Sequence, residues 1–491
     1  MENFGGLDLT AIRSVAKPNS LRDAKNVDLT AFNTVKARDG LRKIATLHPQ
    51  SVGLYAANGF LRSVIPSGSA AYKQFQPAEV FYDRIGDSIL NDFPSRTFDA
   101  AGTLISGIAR LHDTLTYEVD RDSFGIPYVV IEMWNGEIHH HYLDYDKATP
   151  INDPINSRIG LGFTAAPGLI KIKEKIYAPD KLNGSVHFSA AVKPRDWTTA
   201  GDAGFIAVGR SATGDRTVTG LSMHNDKLIV AFPDSVQIWN VEPNQNLNGL
   251  IQAIQGPGTQ FGKTLKNVVG DVLMYTDGGF RSLASATVEN ELREGDIGSF
   301  IEPLTRNETA SADNVQAIWS QARAQYLCAF NGIGNTSRVY AFKRLPARKV
   351  AGWTYWDLPI RVDYWTELNG DLFIRSGDDV YKMEKECVED DGQDVNWRVE
   401  TQRFGSQQVG SMKRWDWFDI IQTGTSKASM LLDINAPTET RIATITDSTL
   451  DEGWVPMMDR SQTLGMVFDG TGAWELESFQ VRYRLGGRGA R

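Results

Sequence analysis

The sequence predicts a mainly β chain: a β-propeller of short antiparallel hairpins, with an inserted segment containing a helix and a C-terminal β-sandwich-like domain. Three observations predict it. A hairpin unit recurs through the middle of the chain, period-two alternation marks its last hundred residues, and 45 Gly with 10% aromatic residues suit tight turns and β surfaces.

The recurring unit is a turn pair, a short apolar run, a Gly/Asp turn and a second run. It reads Asp226-Lys227, 228–232, Pro233-Asp234 and 235–241, then Gly270-Asp271, 272–275, Asp277-Gly278 and 279–283. Two further copies follow: Gln325, 326–330, Asn331-Gly332 and 338–342, then Gly370-Asp371, 372–375, Gly377-Asp378 and 379–383. First strands beginning at Leu228, Val272, Tyr326 and Leu372 repeat at roughly 40 to 50 residues, the length of a propeller blade, which needs neighbours to bury its apolar faces.

At 491 residues the chain exceeds one ordinary core, so two or three domains are expected. Residues 1–50 read as an N-terminal arm and first strands, with Pro18 and Asn19 in a polar stretch that orders on something else or frays. Residues 51–83 and 168–385 form the propeller-like core, with a first hairpin over 54–65 turning at Asn58-Gly59. The number of blades stays open, and the N-terminal strand is one candidate for closing the ring.

The phase is lost over 84–167, the inserted segment. Leu104, Ile105, Ile108 and Leu111 fall at helical spacing there, although Gly102 and Gly107 weaken a helix. The clearest hairpin of the segment runs over 128–134 and 137–143 around Asn135-Gly136. A charged, glycine-containing run from Glu384 to Gly392 reads as a hinge before the C-terminal β domain, 386–491. In that domain Val395, Trp397 and Val399 alternate with Asn396, Arg398 and Glu400. Phe479, Val481, Tyr483 and Leu485 alternate with Gln480, Arg482 and Arg484, while Trp415 and Trp417 straddle Asp416, which predicts an aromatic layer between sheets.

A net charge of −9 argues against affinity gained by neutralising phosphates, though an acidic wall lets DNA pass without trapping it. Cys328 and Cys387 are too few for a disulfide scaffold and stand in no metal or redox spacing, which points to folding in reducing cytoplasm. The start lacks the basic and apolar pattern of a signal peptide, and no stretch approaches a membrane span.

Segments that suggest chemistry read better as structure. Residues 256–264 nearly spell a phosphate-binding loop, but Pro257 stands where the first glycine belongs and has no N–H to offer, so a turn between blades is expected. His139, His140 and His141 lack an identifiable distant ligand among His48, His112, His187 and His224. Adjacent acids such as Asp378/Asp379 and Asp390/Asp391 point to opposite faces of a strand and make no hydrolase pair. Trp353, Tyr355, Trp356, Tyr364 and Trp365 could stack sugars but fit gaps between sheets better. Lys171, Lys173 and Lys175, alternating with Ile170, Ile172 and Ile176, read as a charge-protected strand edge. No catalytic, cofactor-binding or metal-binding residue is expected, and no cofactor.

Four stretches resemble the tail nozzle, or packaged-DNA stabilisation, proteins of short-tailed bacteriophages. They are 21–44; 186–209 with Pro194-Arg195-Asp196-Trp197; 221–239 with 256–303, including Thr276-Asp277-Gly278-Gly279-Phe280-Arg281; and 353–359 with 397–417. Residues 84–167 match nothing in that pattern. The resemblance implies a virion structural protein made in the host cytoplasm: a homohexameric ring closing the distal end of the tail below portal and adaptor proteins, with tail fibres as further partners. It implies retention of packaged DNA and its passage through the lumen at ejection without sequence-specific binding. Alternatives are a receptor- or glycan-binding tail protein and a propeller glycan hydrolase.

Overall fold

The computed structural model describes residues 4–9, 19–49, 51–57, 59–66, 80–85, 163, 168–180, 182–193, 196–212, 214–283, 297–305, 315–332, 335–348, 350–405, 411–432, 438–448 and 453–485, and over 97–158 only the backbone of its strands. Mainly β structure emerges, and its sheet order is that of a propeller. Successive sheets open with Val52–Ala57, Leu111–Tyr117, Ile170–Ile172, Gly220–His224, Lys266–Val268, Val315–Ser320 and Tyr364–Leu368. These first strands line up side by side. Val52–Ala57 touches both Tyr364–Leu368 and Leu111–Tyr117, and contacts link each first strand from Ile170–Ile172 onward to the next.

The four hairpins read from the sequence are the strand pairs that follow the first strand of their sheets. Lys227–Ala231 pairs antiparallel with Ser235–Asn240, Asp271–Thr276 with Gly279–Ser282, Gln325–Asn331 with Ser337–Leu345, and Asp371–Ser376 with Asp379–Glu384. Their apolar runs are continuous because both strand faces are covered. Leu228 and Val230 join a core with Tyr177 and Phe188 of the preceding sheet, while Ile229 and Ala231 join one with Val272 and Met274 of the next. Leu327 and Ala329 likewise face Leu372 and Ile374, whereas Tyr326, Cys328 and Phe330 face the opposite way, toward Phe280 and Tyr275. Each fully buried Leu, Ile, Val or Phe among them contributes about 1.5–3 kcal/mol, and only with the sheet it faces in place.

The chain's beginning completes the sheet near the propeller's end. Gly40–Thr46 pairs antiparallel with Asp379–Glu384 as an added strand beyond Tyr364–Leu368 and Asp371–Ser376. Leu21–Lys25 pairs with Asn396–Thr401 and runs parallel to Val350–Leu358, so one strand bridges the propeller and the C-terminal module. Residues 4–9 dock on this junction: Phe4 and Leu7 are buried, and the Leu7 amide donates to the Trp353 carbonyl at 2.9 Å. That part of the expected N-terminal arm orders on its own chain.

In the C-terminal module the long strand Lys413–Leu431 serves two sheets. Its first half lies between Val455–Ser461 and Trp474–Leu485, its second between Glu439–Thr446 and Gly465–Thr471. The passage occurs at Gly424, whose φ of +83° and approach to the Ala473 carbonyl leave no room for a side chain. Trp397 stacks on Trp474 at 4.0 Å, and Phe468 meets Phe479 edge-on at 5.4 Å, so facing side chains from the two sheets share one core.

The structure corrects three expectations. Leu104–Ser106 and Leu111–Tyr117 are strands, not a helix; Thr114, Thr116 and Tyr117 favour extended backbone, and apolar residues at i, i+1 and i+7 also occur across two short strands. The segment 84–167 includes the four-stranded sheet Leu111–Tyr117, Tyr128–Met133, Ile138–Tyr142 and Ser157–Arg158, built like the blades beside it. In the C-terminal module a bulge at Asp416 shifts the register, burying Trp415 and Phe418 and leaving Trp417 only half-buried. The aromatic layer keeps Trp415 and is completed by Phe418, Trp397 and Trp474, with Trp417 outside it.

A fully buried guanidinium fixes the closing strand. Arg38 donates to Asp390 at 2.9 Å and pairs with its second carboxylate oxygen; it also donates to Asn26 Oδ1 at 3.2 Å and the Asp39 carbonyl at 3.0 Å. Asp390 in turn accepts the Leu41 amide at 3.1 Å, at the start of the added strand. Removing one partner would strand a buried charge. Arg38→Met is therefore expected to lower unfolding stability by about 3–5 kcal/mol, with the double variant Arg38→Met/Asp390→Leu recovering part of the loss, both read by denaturant unfolding.

Candidate functional site

A recess with convergent polar groups sits where propeller, N-terminal strand and C-terminal module meet. It is a cleft of about 570 Å³ bordered by Lys25, Asn26, Arg338, Asp357, Asp394 and Asn396. Strand pairing builds it. Lys25 is opposite Tyr355 and Arg338 opposite Asp357, so both cations reach one carboxylate. Lys25 lies 3.0 Å and Arg338 2.8 Å from Asp357, and the Arg338 guanidinium covers the Tyr355 ring at 5.0 Å.

Burial opposes ionisation of Asp357, but Arg338 and Lys25 outweigh it and hold the carboxyl below its ordinary value. Tyr355, desolvated and bonded to Asp23 at 2.8 Å, has its phenol pushed far up. Asn26 joins the walls: it donates to the Asn396 carbonyl at 2.7 Å and accepts the Asp357 amide at 2.8 Å. What this arrangement does is fasten the N-terminal strand to the propeller sheet with paired charges, while Asn26 reaches the C-terminal module through a neutral hydrogen bond.

The phosphate-loop look-alike is a packed inter-sheet turn. A Cβ on Gly262 would fall 1.7 Å from the Thr219 carbonyl, so that glycine serves backbone packing. Thr264 Oγ donates to the Phe261 carbonyl at 2.7 Å and accepts the Tyr275 amide at 3.0 Å. The strand Ile138–Tyr142 places His139 and His141 opposite Ile131 and Val129; their side chains lie outside the described residues. Among the described residues no group of three or more His, Cys, Asp or Glu is arranged to hold a metal.

Each adjacent acid pair is divided among separate tasks. Asp379 takes Lys43 at 2.8 Å and the Thr46 hydroxyl at 2.7 Å, across the closing strand, and Asp378 stands 3.6 Å from Arg375. Trp353 and Trp356 are buried, with indole N–H groups donating to the Ile297 carbonyl at 2.6 Å and to Asp28 at 3.1 Å; Tyr364 and Trp365 are half-buried. These rings fill junctions, as the sequence suggested.

The lysine run does not form a single edge strand. Lys173 has φ +54° in a turn joining Ile170–Ile172 to Lys175–Pro179, and it pairs with Glu242. Lys175 is buried, donating to the Asp202 carbonyl at 2.5 Å and lying 4.6 Å from the Phe188 ring centre. Alternation across a tight hairpin imitates alternation along one strand.

Sequence reading missed the buried arginines. Arg375 donates to the carbonyls of Ser51, Gly53 and Gly377 and to Ser63 Oγ, tying the sheet of Tyr364–Leu368 to that of Val52–Ala57. The only signal was an arginine inside an otherwise apolar strand.

No family model matches the chain, and no curated protein is similar to it. Solved structures are similar only at a distance. Hsv2 of Kluyveromyces marxianus is 12% identical, with 72% of this chain and 99% of that one covered at a TM-score of 0.31. The Neurospora crassa Pan2 WD40 domain is 10% identical over 58% and 81%, at 0.33. An exo-beta-1,3-galactanase from Phanerochaete chrysosporium is 8% identical over 79% and 99%, at 0.23. At such scores these likenesses assign no function, and the sheet order stands on the chain's own hydrogen bonds.

The Asp357 clamp has a pH signature. A carboxyl held below its ordinary value stabilises the fold above the unfolded-state pKa and loses that contribution as pH falls through the folded one. Asp357→Asn should thus be less stable than the wild type at pH 7, by about 1 kcal/mol or less for this partly exposed group. Thermal unfolding across pH is expected to show the difference shrinking and then vanishing as pH falls below the ordinary carboxylate range and through the lowered folded-state value.

Proposed function

We propose that this chain is a structural component of a short-tailed phage, forming the distal tail nozzle that retains packaged DNA and lets it pass at ejection. The reading joins a propeller-like body to a β-sandwich-like C-terminal module and treats the protein as a stiff wedge within a ring. The observation that carries it is the double-sided burial of the blade strands, locked by Arg38 and Asp390. A body built that way resists deformation, because no sheet moves without exposing apolar faces of two others.

The stretch 21–44, which resembles the nozzle family's opening, contains the Arg38 side of that lock. Asn26 and Arg38 bond to each other there, and Asp28 accepts from Gln325 at 2.9 Å and Trp356 at 3.1 Å. The family-like residues are thus the ones that couple the two parts of the wedge. In this reading portal, adaptor and fibre proteins are neighbours, and acidic loops line the bore, in keeping with the net charge of −9.

A glycan-binding tail protein is the second reading, favoured by one feature. Phe205 is 62% exposed beside His187, which stacks on Phe163 at 3.8 Å, and such a ring platform suits a sugar face.

Two measurements separate the readings. Native mass spectrometry of the purified chain is expected to show a closed ring, with particles lacking the protein leaking DNA; a monomer that binds or shortens host polysaccharide would favour the second reading. Duplex DNA is expected to bind more weakly than about 100 µM at physiological salt, measured by fluorescence anisotropy, and tight, strongly salt-dependent binding would contradict an acidic bore.

A further inference from the structure

One sheet of the C-terminal module ends in a ladder of like charges. Arg414 is directly opposite Arg484 on one side and Arg460 on the other, and Arg482, two residues before Arg484, lies on the same face. Steps of about 5 Å across strands and about 7 Å along one strand separate such positions. Like charges in register destabilise a sheet, so folding alone gives no reason for the arrangement. All four arginines are exposed.

Two of them are held in place from below. Buried Asp416 lies 3.1 Å from Arg414 and 2.7 Å from Arg484. Arg460 and Arg482 have no ion-pair partner among the described residues. The nearest other acids on these strands stand apart: Asp459 is opposite Trp415 on the reverse face, and Asp419 is opposite Gln480, one step further from the sheet's end. From Ser478 to Arg491 the sequence carries Arg482, Arg484, Arg488 and Arg491 and no acid. The net charge of −9 is spread over the whole chain, and exposed charges more than about 8 Å apart are largely screened at physiological salt. The ladder therefore presents a local positive field.

Apolar side chains share this end of the sheet. Met458, 55% exposed, accepts from Arg414 through its sulfur at 3.4 Å, which places it beside the ladder. Lys413, opposite both Ser461 and Leu485, forms the last paired row. Tyr483 and Leu485 are on the reverse face, beside Trp415 and Lys413, and Met412 precedes the strand; all three are exposed. At the rim, where the sheet stops, apolar groups from both faces thus meet solvent together with the arginines.

A phosphodiester polymer would satisfy the guanidinium groups and leave Met412 and Leu485 in water. An anionic headgroup layer takes both, since its phosphates pair with arginine and the acyl boundary beneath them receives apolar side chains. Clusters of about four to eight cations hold proteins to such layers. Arginine and tyrosine, with apolar bodies behind polar tips, suit the graded interface. We infer that this rim of the C-terminal module docks, end-on and peripherally, on the headgroup layer of an anionic phospholipid membrane. The contact needs one copy of the chain, so it does not depend on the assembly proposed above.

The test is co-sedimentation of the full chain with vesicles of phosphatidylglycerol mixed with phosphatidylcholine, against vesicles of phosphatidylcholine alone. The wild type is expected to bind the mixed vesicles, and more weakly at high salt. Arg460→Glu/Arg482→Glu, which leaves both partners of Asp416 in place, is expected to lower binding about tenfold or more with an unchanged thermal unfolding midpoint. Arg460→Gln/Arg482→Gln removes the charges without reversing them and is expected to lose about threefold or more, which keeps the test valid if charge reversal disturbs the sheet. Met412→Ser/Leu485→Ser is expected to weaken binding without changing its salt dependence. Absence of binding to the mixed vesicles, equal binding to phosphatidylcholine alone, or full binding by the folded arginine variants would each overturn the inference. So would a duplex oligonucleotide that binds the wild type more tightly than the mixed vesicles do and loses that binding in the charge-reversed variant. A closed ring that ignores vesicles sinks this surface alone, whereas a monomer that passes the vesicle test supports it and counts against the nozzle.

Discussion

The buried Arg38–Asp390 pair is the constraint on which the rest of the structure depends. Strands covered on both faces cannot hold their cores unless each sheet has a neighbour on either side, so an open end would leave a full apolar face in water. Gly40–Thr46 supplies the strand that completes the sheet of Asp371–Ser376, and its entry is set by Asp390, which binds Arg38 and the Leu41 amide together. A residue near the chain's beginning thereby decides the stability of elements more than three hundred residues away.

The same pair joins propeller to C-terminal module. Asp390 belongs to the connection between them, and Asn26, which accepts from Arg38, also reaches the Asn396 carbonyl and the Asp357 amide. A buried ion pair of this kind is a weak source of net stability compared with apolar packing, but it tolerates only one geometry. Its value here lies in fixing where the second domain sits, consistent with a part whose task is shape.

Buried Asp28 and Asp39 beside this junction show how the surroundings divide similar groups. Burial drives the Asp28 carboxyl above its ordinary value despite Arg323 nearby, whereas Asp39 is buried too but is pulled below it by Arg323 and Lys36. Arg323 lies 2.8 Å from Asp39 and makes no direct bond to Asp28, which accepts instead from the neutral groups of Gln325 and Trp356. Contact with a cation, not depth alone, sets the sign.

The sequence by itself determined the local β units. Turn pairs such as Asp277-Gly278 and Gly377-Asp378, flanked by apolar runs, specify hairpins through backbone preferences that act over a few residues. The dispensable look-alikes were legible on the same ground, since Pro257 denies a phosphate loop its amide. Tertiary structure alone decided which faces meet: that Arg38 and Arg375 are buried knots, that the 173–174 turn splits the lysine run, and that arginines from three strands fall side by side. Register between distant strands depends on contacts among residues hundreds of positions apart, and no local preference encodes those.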